Sequence, residues 1–266
     1  TVTLSGNQSI GGLTFNKAYS ILGAGNSFLF ANSDSTPITV ASGITATLGS
    51  TALADYAALT TTGAFTISLS DTAVNAAALT ALDALTSGTI TMTAATSVSG
   101  AYADVQSVLT ASSGQITGWS NPAVTITDTV TALQANTLAV STLGVVTATL
   151  ASDAAATINA ALTDADVNAY SITVTDTTVS AAVLTALDGK TTVAVNAAAV
   201  TTVVGTGSEV QAAYAANTGN TITGLGTEAI TVTDTVSAAD AATISGLSLG
   251  AVTATVTAAT IGALNT

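Results

Sequence analysis

Histidine, cysteine and arginine are all missing from this chain of 266 residues. Each absence removes a class of chemistry. Without histidine and cysteine, Ser–His–Asp and Cys–His nucleophilic sites are excluded, as are imidazole and thiolate metal centres. Without cysteine there is no disulfide to report a redox compartment. Basic charge is confined to Lys17 and Lys190, against 15 acidic residues, for a net charge of −13. Nucleic-acid binding needs lysine and arginine to neutralise phosphates, so it is excluded, and anionic membrane surfaces are disfavoured. Both lysines sit in turn-like contexts, Asn16-Lys17-Ala18 and Gly189-Lys190-Thr191, and neither belongs to a glycine-rich phosphate loop. Every long apolar run is broken by Thr, Ser or Asp, which argues against membrane insertion. Four Phe, five Tyr and one Trp are too few for an aromatic sugar platform. A polysaccharide-degrading site built on paired carboxylates is therefore a third-ranked reading.

What the chain has is repetition. DTAVNAAALTALD from Asp71 returns as DTTVSAAVLTALD from Asp176, 105 positions later. VTITDTVTA around Asp128 returns as ITVTDTVSA around Asp234, and GVVTATL ending at Leu150 as GAVTATV ending at Val256. Self-similarity at a fixed period predicts stacked repeats. Apolar residues are 48% of the chain and alternate with threonine, so disorder is not expected.

From about residue 51, strands alternate with short helices. FTISLS, TITMTA, VTITDT, VVTATL, SITVTD, TVAVNA and AITVTD read as strands. TALADYAAL, AVNAAALTALDAL, YADVQSVLTA, TALQANTLAV, SDAAATINAAL, SAAVLTALD, SEVQAAYAAN and SAADAATISGL carry apolar residues at helical spacing. Asn75, Thr131, Ser152, Ser180, Ser208 and Ser237 are placed as N-caps. Strand–helix alternation calls for parallel strands joined by crossovers. The expectation for residues 51–266 is an α/β solenoid with one parallel sheet, its 105-residue super-repeat cut short at the C-terminus; a closed (β/α)₈ barrel is the runner-up. The inward column is expected to be Ile67/Leu69, Ile90/Met92, Val124/Ile126, Ile172/Val174 and Ile230/Val232.

Residues 1–50 have a different texture: short alternating runs between Gly, Asn, Ser and Asp turns, without helical period. GGLTFN, a YSILG run, SFLFA and ITVASGITATL resemble the N-terminal coils of autotransporter-type parallel β-helix passengers, and the Ala/Thr/Val/Asp-rich repeats behind them resemble bacterial extracellular surface proteins. That resemblance implies a right-handed parallel β-solenoid over residues 1–50, secretion, and a role in adhesion, sheath, surface-layer or fibre formation. It implies no catalytic residue. The near-absence of trypsin-type cleavage sites points to the same extracellular setting.

Two motifs are candidates for function. Asp71, Asp128, Asp176 and Asp234 recur in [T/S]-D-T at strand ends. One reading is an Asx-type turn that favours a helix N-terminus. The other is a ladder of hard oxygen ligands for Ca²⁺, with Asp164 and Asp166, or Asp83 and Asp188, as further ligands. The second motif is the T-x-T array of Thr89/Thr91/Thr93, Thr125/Thr127, Thr147/Thr149, Thr173/Thr175, Thr231/Thr233 and Thr253/Thr255. It reads as an outer strand face, with a flat ligand-binding or ice-binding surface, glycosylation or lateral packing between rods as alternatives. AATIGAL at Ala258–Leu264 matches AATINAAL at Ala155–Leu162 and stops within the unit. Either this is a piece of a longer protein or the end meets another copy, head to tail, through Thr1, Val2, Thr3 and Leu4 against Val256, Ile261 and Leu264. The function expected is a non-enzymatic extracellular structural protein, a subunit of a fibre, sheath or surface layer that polymerises with itself. The alternative is an adhesin or ice-binding module that reads a ligand, surface glycans included, along its threonine face.

Overall fold

The structure, a computed structural model, describes residues 45–47, 52–58, 64–111, 114–118 and 121–258. The expected β-solenoid coils of residues 1–50 lie outside these, except for the strand at Thr45–Thr47. The chain divides into two compact units, residues 1–125 and 126–266.

The first unit contains β1 (Thr45–Thr47), a 3₁₀ helix (Leu53–Ala58), β2 (Ala64–Ser68), β3 (Ala73–Asn75), α1 (Ala76–Asp83), β4 (Ile90–Thr91), β5 (Ser97–Gly100), α2 (Tyr102–Ala111) and β6 (Ile116–Thr117). β7 (Ala123–Val130) closes it and opens the second unit. There follow α3 (Ala132–Ala139), β8 (Val146–Leu150), α4 (Ala155–Ala161), β9 (Ala169–Ser171), β10 (Thr178–Ser180) and α5 (Ala181–Asp188). The unit ends with β11 (Val195–Asn196), β12 (Thr202–Gly205), α6 (Gly207–Thr218), β13 (Ile222–Thr223), β14 (Ala229–Val236), α7 (Ala238–Ser245) and β15 (Val252–Val256). All eight segments with helical spacing form helices, seven α and one 3₁₀ among the described residues. The sequence repeat is a repeat of elements: α1 and α5, β4 and β11, and β5 and β12 each begin 105 positions apart, and β7 and β14, α3 and α7, and β8 and β15 each begin 106 apart.

The expected architecture needs correction. Instead of a solenoid with one parallel sheet, the chain builds an α/β fold with several parallel sheets, and none closes or coils among the described residues. In the first unit β1, β2, β4 and β6 form one sheet in that order, while β3 pairs with β5. In the second, β8 lies between β7 and β9, β11 pairs with β13, and β10, β12, β14 and β15 form a four-stranded sheet. Tight turns explain the division. Two strand stretches bend partway and send their halves to different sheets. Ala95 donates to Met92 O at 3.1 Å between β4 and β5, and Val200 to Ala197 O at 3.0 Å between β11 and β12. Just before β5 and β12 the same alternating pattern resumes on the far side of the bend, so the sequence gives no sign of a break. The turn into β7 uses Gly118 at φ 84° and that into β14 uses Gly224 at φ 91°, where a Cβ would stand 2.8 Å from Thr93 N and 2.6 Å from Ala198 N.

The inward column is as expected. Ile67, Leu69, Ile90, Met92, Val124, Ile126, Ile172, Val174, Ile230 and Val232 are all buried. The helices bury matching faces of their own: Ala76, Leu79 and Leu82 on α1, and Ala181, Leu184 and Leu187 on α5. Close approach has a sequence cause. A Cβ on Gly100 would stand 2.9 Å from Ala76 Cβ, and one on Gly205 3.0 Å from Ala181 Cβ, so a glycine in the second strand seats the start of the preceding helix.

Three expected N-caps form. Asn75 accepts from Ala78 N at 3.0 Å, Thr131 makes a reciprocal capping box with Gln134, and Ser237 accepts from Asp240 N at 3.1 Å. Ser180 holds the cap position of α5 without a side-chain bond. Ser152 and Ser208 are not caps. Those positions fall to Ala154 and to Thr206, which forms a capping box with Glu209.

Candidate functional site: carboxylates and hydroxyls between repeats

Three of the recurring aspartates bind helices, and each helix belongs to the strand–helix unit before it. Asp71 Oδ2 accepts Leu53 N–H at 2.6 Å, Asp176 Oδ2 accepts Ala155 N–H at 2.6 Å, and Asp234 Oδ1 accepts Gly207 N–H at 2.8 Å. Leu53, Ala155 and Gly207 are the first residues of the 3₁₀ helix, α4 and α6. Each carboxylate thus satisfies an orphan N–H and faces the positive end of a helix 18 to 27 positions upstream. The Asx-turn reading had the helix N-terminus right and its location wrong. These strands also do not share one ladder. Asp71 and Asp176 occupy the turns after β2 and β9, whereas Asp128 and Asp234 lie within β7 and β14. In β14 the register to β15 shifts between Thr231 and Thr235, and this bulge contains Asp234. Asp128 has a partner of its own.

For the Ca²⁺ ladder, the structure shows where the ligands stand. No group of three or more acidic side chains converges among the described residues. Asp164 Oδ2 accepts from Asn168 Nδ2 at 3.0 Å, and the Asp166 carbonyl from the same amide at 3.2 Å. Asp83 and Asp188 end α1 and α5 in different units; Asp188 Oδ2 accepts from Thr221 Oγ1 at 3.0 Å. Burial pushes the Asp83 carboxyl above its usual range.

A second set of polar groups went unread in the sequence. Thr86, Thr142, Thr191 and Ser248 are buried hydroxyls just before a strand. Thr86 Oγ1 accepts Phe65 N–H and donates to Phe65 O, both at 2.8 Å. Thr191 Oγ1 does the same to Tyr170, at 2.9 and 2.7 Å. Ser248 Oγ donates to Glu228 O at 2.7 Å. The same oxygens accept the N–H two residues on: Gly88, Gly144, Val193 and Gly250. One hydroxyl thus turns the chain and grips the strand segment 20 to 21 positions upstream. Asn168 replaces it at β8, its Oδ1 accepting Val146 N–H at 2.7 Å. The signal was present as [S/T]-x-G before three strands, Thr86-Ser87-Gly88, Thr142-Leu143-Gly144 and Ser248-Leu249-Gly250. It is hidden by the abundance of threonine.

Lys190 and Glu228 hold the structure together as well. Lys190 Nζ donates to Leu162 O and, at 3.3 Å, to Asn159 O, placing a cation at the carbonyl end of α4. Buried Glu228 accepts from Tyr214 Oη, from Gly226 N at 2.8 Å and from Thr227 N at 2.9 Å. Burial, the hydrogen bond and the Glu228 charge drive the Tyr214 hydroxyl far above its usual pKa. Tyr170 is driven the same way by burial and by Asp164, and its hydroxyl finds no partner among the described residues.

The threonine faces are exposed where alternation put them, at Thr125 and Thr127, Thr147 and Thr149, and Thr253 and Thr255. Thr91 of the array and several threonines outside it clasp neighbouring segments. Thr91 and Thr117 hydroxyls meet at 3.2 Å, and Thr96 and Thr201 donate to Thr72 O and Thr177 O at 3.0 and 2.9 Å. Among the assembly residues expected from the sequence, only Val256 is described; it is exposed at the end of β15. Thr1, Val2, Thr3, Leu4, Ile261 and Leu264 lie outside the described residues. No helix among the described residues is long and apolar enough to cross a membrane. No family model, curated protein or solved structure matches the chain.

Proposed function

We propose that the protein is an extracellular structural subunit, built from repeats and assembling end to end into a surface fibre, sheath or layer. One observation carries this reading: three aspartates that the sequence offered as chemistry, and a set of buried hydroxyls that it did not, are engaged in holding one strand–helix unit to the one before it. Asp71, Asp176 and Asp234 cap helices 18 to 27 positions upstream, and Thr86, Thr191 and Ser248 grip the chain 20 to 21 positions upstream. Such a molecule invests its side chains in cohesion between neighbouring elements. The lack of histidine, cysteine and arginine, and the resemblance to bacterial surface repeats, support the same role. A threonine face for ice or another regular ligand needs even spacing, and the register shift in β14 interrupts it. The reading is tested by negative-stain electron microscopy of purified protein, with sedimentation over rising concentration. Filaments or sheets and a growing mass are expected. A monomer at every concentration would overturn it and leave a ligand-binding module as the better account.

A further inference from the structure

Most of the large apolar side chains exposed among the described residues lie between positions 133 and 167. Leu133 and Val140 are 64 and 62% exposed, and Val145 and Val167 are 49 and 50% exposed. Leu133 on α3 and Val140 at its C-terminal cap stand seven positions apart, two turns, and so on one side of the helix. The chain then turns at once toward β8, with Ser141 N–H donating to Leu138 O at 2.9 Å. Val145 leads into β8 and Val167 into β9, each two residues before the pair Thr147–Ala169, so the parallel register sets them side by side. All four belong to the second unit. The repeat does without them. Leu133, Val140 and Val145 return 106 positions later as Ala239, Gly246 and Ala251, and Val167 stands where the sequence 105 positions earlier has Thr62. α7 and β15 form with the small residues in place. Leu143 is exposed too, but it returns as Leu249 and is a property of the repeat.

We propose that the patch of Leu133, Val140, Val145 and Val167 is where a second copy of this chain docks, each patch covering the other. Charge selects the occupant. The four residues are uncharged, and their border carries both signs. Asp166 adjoins Val167, and Lys190 lies on the neighbouring turn, where its carbonyl accepts Asn168 N–H at 3.3 Å. Lys190 is the one basic residue among the described residues. Its ammonium spends two N–H groups on Leu162 O and Asn159 O and keeps a third for a carboxylate. A twofold contact sets Lys190 of one copy toward Asp166 of the other, so two chains of net charge −13 meet at a complementary pair. The size also fits. Four such side chains offer a few hundred Å² of apolar surface, the core for an interface of about 800 Å² per partner. A patch that meets its own image closes at two copies. It therefore pairs filaments sideways and is separate from the end-to-end contact proposed above.

The double variant Leu133→Glu/Val145→Glu changes two exposed side chains, so its melting temperature at low concentration should match the parent's. Its side-by-side association, followed by sedimentation over rising concentration, should be weaker by about tenfold or more. Asp166→Lys sets like charges at the border and should weaken association by about threefold, with the loss shrinking in high salt. Micrographs should show paired filaments for the parent and single ones for the double variant. Variants that associate as the parent does would overturn this contact and leave the end-to-end reading standing. Dimers without filaments would support this contact and overturn the end-to-end reading. A parent that stays monomeric at every concentration would overturn both.

Discussion

β8 and β15 have almost the same sequence, VTATL and VTATV, and opposite surroundings. In β8, Val146, Ala148 and Leu150 are 0, 4 and 3% exposed; in β15, Val252 and Ala254 are half-buried and Val256 is 37% exposed. Both strands pair with a preceding strand of the same type, β7 or β14. What differs is the next strand. β9 lies on β8 and places Tyr170 opposite Ala148, and Asn168 takes the Val146 N–H. In a repeat protein, burial is a property of the junction between units more than of the unit itself.

The largest effect should come from placing a carboxylate at the two equivalent alanines. Ala148→Asp buries an unpaired charge beneath Tyr170 and should cost at least about 3 kcal/mol, or prevent the second unit from folding. Ala254→Asp stands on a half-open face and should cost less than about 1 kcal/mol. Urea denaturation at low protein concentration measures both. Equal losses would mean that β15 is as covered as β8.

The junction hydroxyls come next. Thr191→Val keeps the shape and leaves the buried Tyr170 N–H and C=O unpaired, at about 2–3 kcal/mol. Ser248→Ala at the outer junction removes a bond to Glu228 O and should cost about 1 kcal/mol. Thermal or urea midpoints of the two variants check the order, and a larger loss at Ser248 would contradict it.

Much of this could be read in advance. The period gave the repeat of elements, and alternation gave all ten inward residues because a strand allows only two faces. The division into several sheets was not legible. The turns at Met92–Ala95 and Ala197–Val200 carry no proline or glycine, and the alternating pattern resumes after each. The aspartates were conspicuous, but their partners lie 18 to 27 positions upstream, and only the packing of neighbouring strands and helices brings them together. Thr191 and Thr192 are neighbours in sequence, one buried and one exposed, and composition cannot tell them apart.

A smaller effect separates two of these carboxylates. α4 has Ala154 at its cap position with no side-chain cap; Asp176 takes the N–H of its first residue, Ala155, while Asp153 Oδ1 takes that of Ala154 at 2.7 Å. Asp176→Ala should cost about 1 kcal/mol and fray α4. α6 has its own capping box of Thr206 and Glu209, so Asp234→Ala should cost about half as much. Hydrogen exchange at the first turns of α4 and α6 resolves the two. If both helices fray equally, the local cap does not substitute for the carboxylate of the next repeat.

The smallest effect at neutral pH, and the most particular in its pH dependence, belongs to Tyr170, the residue that β15 lacks. Its hydroxyl is buried without a partner among the described residues, so the ring contributes cover while the oxygen contributes only desolvation. Tyr170→Phe should leave stability at pH 7 unchanged or raise it by up to about 1 kcal/mol. At alkaline pH the variant should gain further. Burial and Asp164 raise the folded-state pKa of Tyr170, so above the ordinary tyrosine value of 10.0 the unfolded chain releases a proton that the folded chain retains. The folded state then binds more protons than the unfolded one, and stability falls as pH rises through that value and beyond. Tyr214, raised in the same direction, adds to the fall, and it remains in the variant. Urea midpoints from pH 8 to 11 should therefore decline less steeply for Tyr170→Phe than for the parent. Parallel curves would show that the hydroxyl reaches water or a partner, and that the cover over Ala148 is looser than its burial implies.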